Sequence, residues 1–202
     1  MNEGGEFIPN EVRTSIDRLE LRGFDEPGSL QAAQFALDLI GAKLTPEQLK
    51  KLAGVVISVG DDLTDSGGLA DAKNNTVVLD KIKNNFSLSE VEPWLVEQGF
   101  LNPGDWTKTM AEDSVNSKWS TLTYQLIHEL GHIVDGRSVG VKYMRLDPSL
   151  SPTKYGSGDA SEAFAEAFAH YVLGAPTGEA VKDVLDKTIA SEIDLPRLEI
   201  NE

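Results

Sequence analysis

Two histidines stand four positions apart in the segment STLTYQLIHELGHIVDG, which spans residues 120–136. Its apolar residues recur every three or four positions, so the segment predicts a helix with one buried face that begins at its first or second residue and ends at Gly136. Residues i and i+4 lie one turn apart on a helix, so the imidazoles of His128 and His132 can reach one metal ion. Two histidines do not complete such a site, because a catalytic zinc takes three protein ligands. The alternative is a buried helix that merely contains them.

Cysteine is absent from the 202 residues, so a transition metal could be held only by histidine, aspartate or glutamate. The 33 acidic and 18 basic residues give a net charge of −15, which disfavours nucleic acid and is compatible with a basic peptide partner or with simple solubility. No run approaches the roughly 18 apolar residues of a membrane span. We expect neither a nucleic-acid nor a membrane partner, and we expect a monomer.

Residues 1–54 predict an N-terminal helical arm or cover. Within this segment we expect a short helix around residues 11–20, a helix capped by Ser29 and ended by Gly41, and another that starts with the capping box TPEQ at 45–48. The first residues, MNEGGEFIPNE, lack the positive charges and apolar core of an intact signal peptide. A secreted protein, present as a mature form or an excised domain, is slightly favoured over a cytoplasmic one.

The middle of the chain changes its hydrophobic period. The β-branched run VVISVG at 55–60 predicts a buried strand, and residues 67–80 predict two short strands joined by a turn at 73–75. A capping box at the start of SLSEVEPWLVEQG (87–99) predicts a helix. We expect irregular structure at 101–118.

A second helix could supply the missing ligand. The position six residues after the second histidine is Ser138, so a third histidine or an aspartate there is excluded as a ligand. Residues 160–174 predict a helix on which Glu162 and Glu166 stand four apart among alanines and phenylalanines, where buried carboxylates are costly unless paired. One glutamate can bind the metal while the other accepts the second ring N–H of a ligand histidine. A last helix is expected after Thr177.

The segment YGSGDASEAFAEAF, residues 155–168, resembles the third-ligand segment of the anthrax lethal factor catalytic domain and of the related Pro-Pro endopeptidases. These proteins are gluzincin zinc metallopeptidases. The resemblance implies a zincin-like metallopeptidase domain over residues 55–202, unless the whole chain is one continuous domain. The fold class expected is α+β, with a small mixed sheet packed on the active-site helix and a mainly helical C-terminal half.

By the same resemblance, the ion is zinc and its ligands are His128, His132 and Glu162. Glu129 is the general base, and Tyr155 stabilises the oxyanion. Glu166 is the outer partner of a ligand histidine.

The function implied is a zinc-dependent endopeptidase whose peptide or protein substrate lies along an edge strand within 67–80. The acidic chain suits a basic substrate segment. Two alternatives stay open: an inactive zincin-fold binding or structural protein, and a toxin or effector domain that cleaves one host protein.

Several other residues have simpler interpretations. The run DDLTDSGG (61–68) lacks the glycine and final glutamate of an EF-hand and predicts a solvated turn. We expect His170 to be a partly exposed helix histidine, Asp135 to solvate a helix end and Tyr124 to pack in the core. Core or cleft-wall positions are expected for the tryptophans, Trp94, Trp106 and Trp119.

Overall fold

The computed structural model describes residues 16–61, 67–138 and 146–192. Most of the aspartate-rich run at 61–68 and the first part of the short helix expected around 11–20 therefore lie outside the described residues. Among the described residues, no helix is long and apolar enough to cross a lipid bilayer.

Among the residues described, four strands form one mixed sheet in the order β1–β2–β4–β3. Their bounds are Glu20–Arg22 (β1), Val56–Gly60 (β2), Gly68–Asp71 (β3) and Thr76–Asp80 (β4). Strands β1 and β4 both run parallel to β2, whereas β3 pairs antiparallel with β4 and forms one edge. The turn between β3 and β4 contains Asn75 at φ 57°, the left-handed conformation that asparagine tolerates. The three strands predicted between residues 55 and 80 are confirmed.

Strand β1 was not predicted. Residues 20–22 pair with Val56–Ser58 of β2, so the helix expected around 11–20 is wrong at its C-terminal end. The sequence ELR alternates polar and apolar residues, but three residues without a β-branched side chain are too few to predict a strand. The segment is extended because β2 offers a partner edge.

Seven helices occur in the described part of the chain. They are Pro27–Lys43 (α1), Pro46–Leu49 (α2), Leu88–Glu97 (α3), Glu112–Asn116 (α4), Ser120–Gly136 (α5), Ala160–Val172 (α6) and Glu179–Ala190 (α7). Both predicted capping boxes, at 45–48 and 87–90, are present.

Some helix ends differ from expectation. Helix α1 begins at Pro27 with Glu26 as its N-cap, so Ser29 is not the cap and its hydroxyl instead donates to the Glu26 carbonyl. Gly41 does not end α1 as expected, because the helix continues to Lys43. Helix α4 interrupts a stretch expected to be irregular, and Gly178 rather than Thr177 precedes α7.

Helix α5 lies at the centre of the fold, in contact with α1, α6, β3 and β4. Six of its apolar side chains are completely buried: Leu122, Leu126, Ile127, Leu130, Ile133 and Val134. A Cβ added at Gly131 would lie 3.0 Å from Ala165 Cα, so a glycine here lets α6 approach α5 backbone to backbone. This contact brings the carboxylates of α6 within reach of the histidines of α5.

The α+β class with a small mixed sheet is confirmed, and α5–α7 make the C-terminal part mainly helical. Residues before position 55 contribute β1 to the sheet and α1 to the packing on α5. The domain boundary at residue 54 stays a prediction.

Candidate metal centre

Three side chains from two helices converge on one point. His128 and His132 project from α5 and Glu162 from the first turn of α6. The two Nε2 atoms lie 3.2 Å apart, and Glu162 Oε2 lies 3.2 Å from His128 Nε2 and 3.5 Å from His132 Nε2. Among the described residues, this is the cluster that could hold a metal ion.

The size of this triangle suits a small cation. A tetrahedral zinc ion bonded at about 2.0–2.1 Å separates neighbouring ligand atoms by about 3.3–3.4 Å. The three observed separations, 3.2, 3.2 and 3.5 Å, bracket that value. Histidine nitrogens and a carboxylate oxygen are also a donor set that zinc accepts.

The electrostatics of the triangle also require a cation. Each histidine has its Nδ1 atom near an oxygen: 2.8 Å from Glu166 Oε1 for His128 and 3.0 Å from Ser161 Oγ for His132. With the ring proton on Nδ1, each neutral imidazole points a lone pair from Nε2 into the triangle. Glu162 Oε2 is buried there without a hydrogen-bond partner, so three electron-rich atoms face one another unless a proton or metal ion lies between them.

The start of α6 orients Glu162. The Asp159 side chain caps the helix by accepting hydrogen bonds from the backbone N–H groups of Ser161, at 2.8 Å, and Glu162, at 3.3 Å. The cap fixes the first turn of α6, from which Ser161 reaches one histidine and Glu162 reaches both.

Glu166 lies one helical turn after Glu162 and is almost fully buried behind His128. Its Oε1 is 2.8 Å from His128 Nδ1, a hydrogen-bond separation, although the ring N–H is not aimed straight at the oxygen. Its Oε2 accepts a 2.8 Å hydrogen bond from the Tyr124 hydroxyl and another from the Thr153 hydroxyl. The negative charge of Glu166 is therefore compensated by three polar neighbours.

The carboxylates make the site attractive to positive charge. Burial lowers the pKa of His128, but the close carboxylates of Glu162 and Glu166, together with the charge of Glu129, outweigh burial and raise this pKa to about 10. Burial raises the pKa of Glu162, yet the rings of His128 and His132 beside its carboxylate hold that pKa well below its usual value. A proton on the imidazoles thus occupies the position that a metal ion would take.

Glu129 lies between the two histidines in sequence and borders the same cleft. It is 3 % exposed, and its Oε1 accepts a 2.6 Å hydrogen bond from Gln125 Nε2, one turn earlier. Burial raises its pKa, and the charges of His128 and His132 oppose that rise. A Cβ added at Gly68 of β3 would lie 2.7 Å from Glu129 Oε1, so the edge strand passes directly against this carboxylate.

Tyr155 begins a short 3-10 turn, Tyr155–Gly158, just before α6. Its side chain is 43 % exposed, and its ring centroid lies 6.2 Å from that of His128. Burial, together with the charges of Glu162, Glu166 and Glu129, raises the pKa of the phenol to about 12. The hydroxyl therefore keeps its proton at neutral pH and can act as a hydrogen-bond donor.

A cleft of about 1110 Å³ opens over these groups, between β3, α3, α5 and α6. Eight large apolar side chains are exposed in the described part of the chain, and five of them line this one cleft: Leu69, Phe86, Trp94, Phe100 and Tyr155. Exposed apolar residues scattered singly carry no information, but a cluster in a concavity marks a ligand site.

The structure also brings in residues that sequence reasoning did not assign to the site. Tyr124 was expected to pack in the core, and it is buried, but its hydroxyl also donates to Glu166. Its position four residues before His128 was an available signal. Ser161 and Gln125 likewise stand beside or one turn from a predicted site residue. Thr153 lies in a loop, and no sequence pattern pointed to it.

His170 and the three tryptophans lie around the same helices. His170 was expected to be partly exposed, which is wrong: it is 1 % exposed, with its ring 6.2 Å from that of Tyr124. Trp106 and Trp119 are buried and Trp94 lines the cleft, so their core or cleft-wall placement is confirmed. Asp135 also borders the cleft.

No protein-family model matches the chain, and no curated protein shows significant similarity to it. Fold and site together define an α+β protein with a His–His–Glu cluster, able to hold a metal ion, at the base of an apolar-walled cleft.

Proposed function

We propose that this protein is a zinc-dependent endopeptidase. The observation that carries the proposal is the triangle of His128, His132 and Glu162, which has zinc-sized separations and the buried carboxylate of Glu129 next to it. A site that only stored a metal would not need a further acid in a cleft open to a substrate. The resemblance of residues 155–168 to the gluzincin segment supports the same function.

The residues present divide the chemistry among them. A bound zinc ion supplies Lewis acidity, which makes water more acidic and polarises a substrate carbonyl. Glu129 accepts the proton of the attacking water and returns it to the leaving amine. Burial, which raises the pKa of this carboxyl, brings it closer to the range in which a base can both take up and release a proton at neutral pH.

Tyr155 has the properties of an oxyanion donor. Its phenol stays protonated because its pKa is raised to about 12, and it lies at the mouth of the site rather than behind it. A donor held at this position stabilises negative charge that develops on the carbonyl oxygen. Glu166 and Ser161 hold the two imidazole rings by their Nδ1 atoms, which leaves both Nε2 atoms free to bind a zinc ion.

The cleft suits an extended peptide. Strand β3 is an edge strand of the described sheet, and Gly68, Leu69 and Ala70 line the cleft beside Glu129. An edge strand can hydrogen-bond the main chain of a substrate as an added strand. The apolar walls favour large apolar side chains, and the net charge of −15 favours basic residues further from the scissile bond.

The decisive variant is Glu129→Gln. The amide has the same shape as the carboxylate but cannot accept the proton, so we expect zinc to stay bound and peptide cleavage to fall by about 10²–10⁴-fold. Zinc content is measured by elemental analysis, and cleavage by mass spectrometry of a randomised peptide library.

Glu112→Gln, which removes one acidic charge from α4 outside the cleft, is the control for net charge. Cleavage by Glu129→Gln at the wild-type rate would disprove the assigned base. A wild-type protein that binds zinc but leaves the whole library intact would be a binding protein instead.

A further inference from the structure

We propose that the Glu166 carboxylate is a junction that fixes a metal-ligand histidine and the Tyr155 turn together, with Thr153 as a positioning residue for Tyr155. The proposal rests on the proposed function only for the role of Tyr155 in catalysis. The contacts that define the junction exist in the protein without any metal.

The two oxygens of Glu166 serve different parts of the site. Oε1 faces Nδ1 of His128 on α5, and Oε2 accepts the hydroxyl hydrogen bond of Thr153 from the loop before α6. Tyr124 of α5 donates to the same Oε2 atom at 2.8 Å. All four residues are at most 4 % exposed, so water does not compete for these hydrogen bonds.

The Thr153 hydroxyl connects Glu166 to the 3-10 turn that begins at Tyr155. Its hydroxyl oxygen accepts a 3.3 Å hydrogen bond from the backbone N–H of Gly156, the residue directly after Tyr155. The same hydroxyl thus donates to Glu166 and accepts from the turn, which uses both of its capacities. The path from His128 to the backbone beside Tyr155 is a chain of direct contacts through one carboxylate and one hydroxyl.

The close packing of the turn reinforces this link. A Cβ added at Gly156 would lie 3.0 Å from Ala163 Cα and 3.1 Å from Glu166 Cγ, so the turn is seated directly on α6. Tyr155 itself is 43 % exposed, and its ring contacts the edges of the site, with centroids 6.2 Å from those of Phe100 and His128. These ring contacts are met only when the backbone of the turn is in place, and an error of about 1 Å in such a group can cost about 10²-fold in rate.

Three variants of Thr153 distinguish a role of its hydroxyl in the junction from a role of its side chain in packing alone. Thr153→Val keeps the shape and removes the hydroxyl, Thr153→Ser keeps the hydroxyl, and Thr153→Ala serves if the valine variant does not fold. Tyr124→Phe is the matched control, because it removes a donor to the same Glu166 oxygen from the α5 side without touching the turn.

The first measurement is hydrogen exchange of the metal-free protein, which needs no activity. We expect the Gly156 amide to exchange at least about 10-fold faster in Thr153→Val and to stay protected in Thr153→Ser and Tyr124→Phe, because a lost hydrogen bond shifts a local opening equilibrium. Unchanged exchange at Gly156 in both Thr153→Val and Thr153→Ala would overturn the proposal.

The second measurement uses the zinc-loaded enzyme. We expect Thr153→Val to lower kcat by about 10–100-fold with KM little changed, which is typical of lost outer-shell support, and Thr153→Ser to restore it. In a Tyr155→Phe background, Thr153→Val should not lower kcat any further. A further, additive loss of kcat in that background would contradict the positioning role. If the wild type cleaves no peptide, the proposed function fails, while the exchange result still decides the junction.

Discussion

Glu162 and Glu166 are chemically identical residues one helical turn apart, and their surroundings give them different roles. Glu166 is almost fully buried and faces hydrogen-bond donors from Tyr124 and Thr153. Glu162 points a buried oxygen without a hydrogen-bond partner at two ring nitrogens. An oxygen that already accepts two hydroxyl hydrogen bonds is poorly placed to bind an ion, so the environment favours Glu162 as the glutamate that would bind one.

Substituting each glutamate by glutamine tests this assignment. We expect Glu162→Gln to weaken zinc binding by more than about 100-fold, because a charged ligand is lost, and Glu166→Gln to weaken it by about 10–100-fold, as outer partners typically do. Competition with a chromophoric chelator measures both affinities, and Glu112→Gln controls for the loss of one negative charge. A larger loss for Glu166→Gln than for Glu162→Gln would mean that the two roles are reversed.

The sequence was informative at the residue scale wherever a site residue shared a helix with another. Residues four positions apart are neighbours on one face of a helix. This spacing made it possible to predict the pair His128 and His132, and then the pair Glu162 and Glu166. Tyr124 has the same spacing from His128, but an aromatic residue one turn away is equally typical of core packing. Thr153 reaches Glu166 through the path of a loop, which no local period encodes.

At the scale of elements, the contact between α5 and α6 determines the geometry of the site. Gly131 is the fourth residue of HELGH, and its missing side chain lets Ala165 and Phe168 of α6 approach the α5 backbone. The close approach of α6 to the α5 backbone allows a carboxylate on α6 to lie within 3.5 Å of the histidine nitrogens on α5.

Gly131→Ala should therefore disturb both stability and metal binding. Alanine gains about 1 kcal/mol over glycine in helix propensity, but overpacking costs about 1–3 kcal/mol. The nearest atom is a backbone Cα that cannot yield without shifting α6, so we expect a net loss of stability and weaker zinc binding. Urea unfolding and chelator competition measure the two effects.

Gly178→Ala is the control for Gly131→Ala, since an added Cβ there meets nothing within 4 Å. A Gly131→Ala protein as stable as the wild type, with unchanged zinc affinity, would show that the helices tolerate a wider separation.

The elements that could be predicted are those with a strong local signal. Helices α5 and α6 carry long apolar periodicities, and α2 and α3 carry capping boxes. Strand β1 could not be found, because its three residues are extended only through pairing with β2. The burial of His170 was missed for a related reason: α6 packs against both α5 and α7, so it has little exposed face on which a histidine could lie.

At the scale of the whole molecule, one buried cation joins distant parts of the chain. Lys51 is 1 % exposed and donates to Ser138 Oγ, Ser191 Oγ and the Thr188 carbonyl, at 2.6, 2.7 and 2.8 Å. These acceptors follow the end of α5 and lie at the end of α7, so one ammonium group ties two helix ends to the segment before β2. Burial lowers the pKa of Lys51 to about 8, although Asp135 opposes the shift.

This buried lysine predicts a pH-dependent contribution to stability. Lysine in the unfolded chain has a pKa of 10.5, so between about pH 8 and 10.5 the folded protein has released a proton that the unfolded chain still binds. Unfolding then takes up a proton, and stability rises with pH across that window. We expect the free energy of unfolding of the wild type, minus that of Lys51→Met, to be constant below pH 8 and to increase above it.

Urea unfolding at a series of pH values measures this difference. Lys182→Met, which removes an exposed lysine from α7, should show no such rise. A difference that stays flat or decreases between pH 8 and 10.5 would contradict the buried position of the ammonium group.

Helix α6 combines two roles within thirteen residues. Ala163, Phe164, Ala167 and Phe168 fill the interior, while Glu162 and Glu166 face the histidines of α5. Few substitutions in this helix can preserve both the packing of the interior and the contacts with the histidines. The exposed aromatic walls of the cleft, in contrast, are constrained only by the ligand that binds there. Descendants of such a chain can change what they recognise by altering the walls, while the helix that carries the carboxylates stays nearly constant.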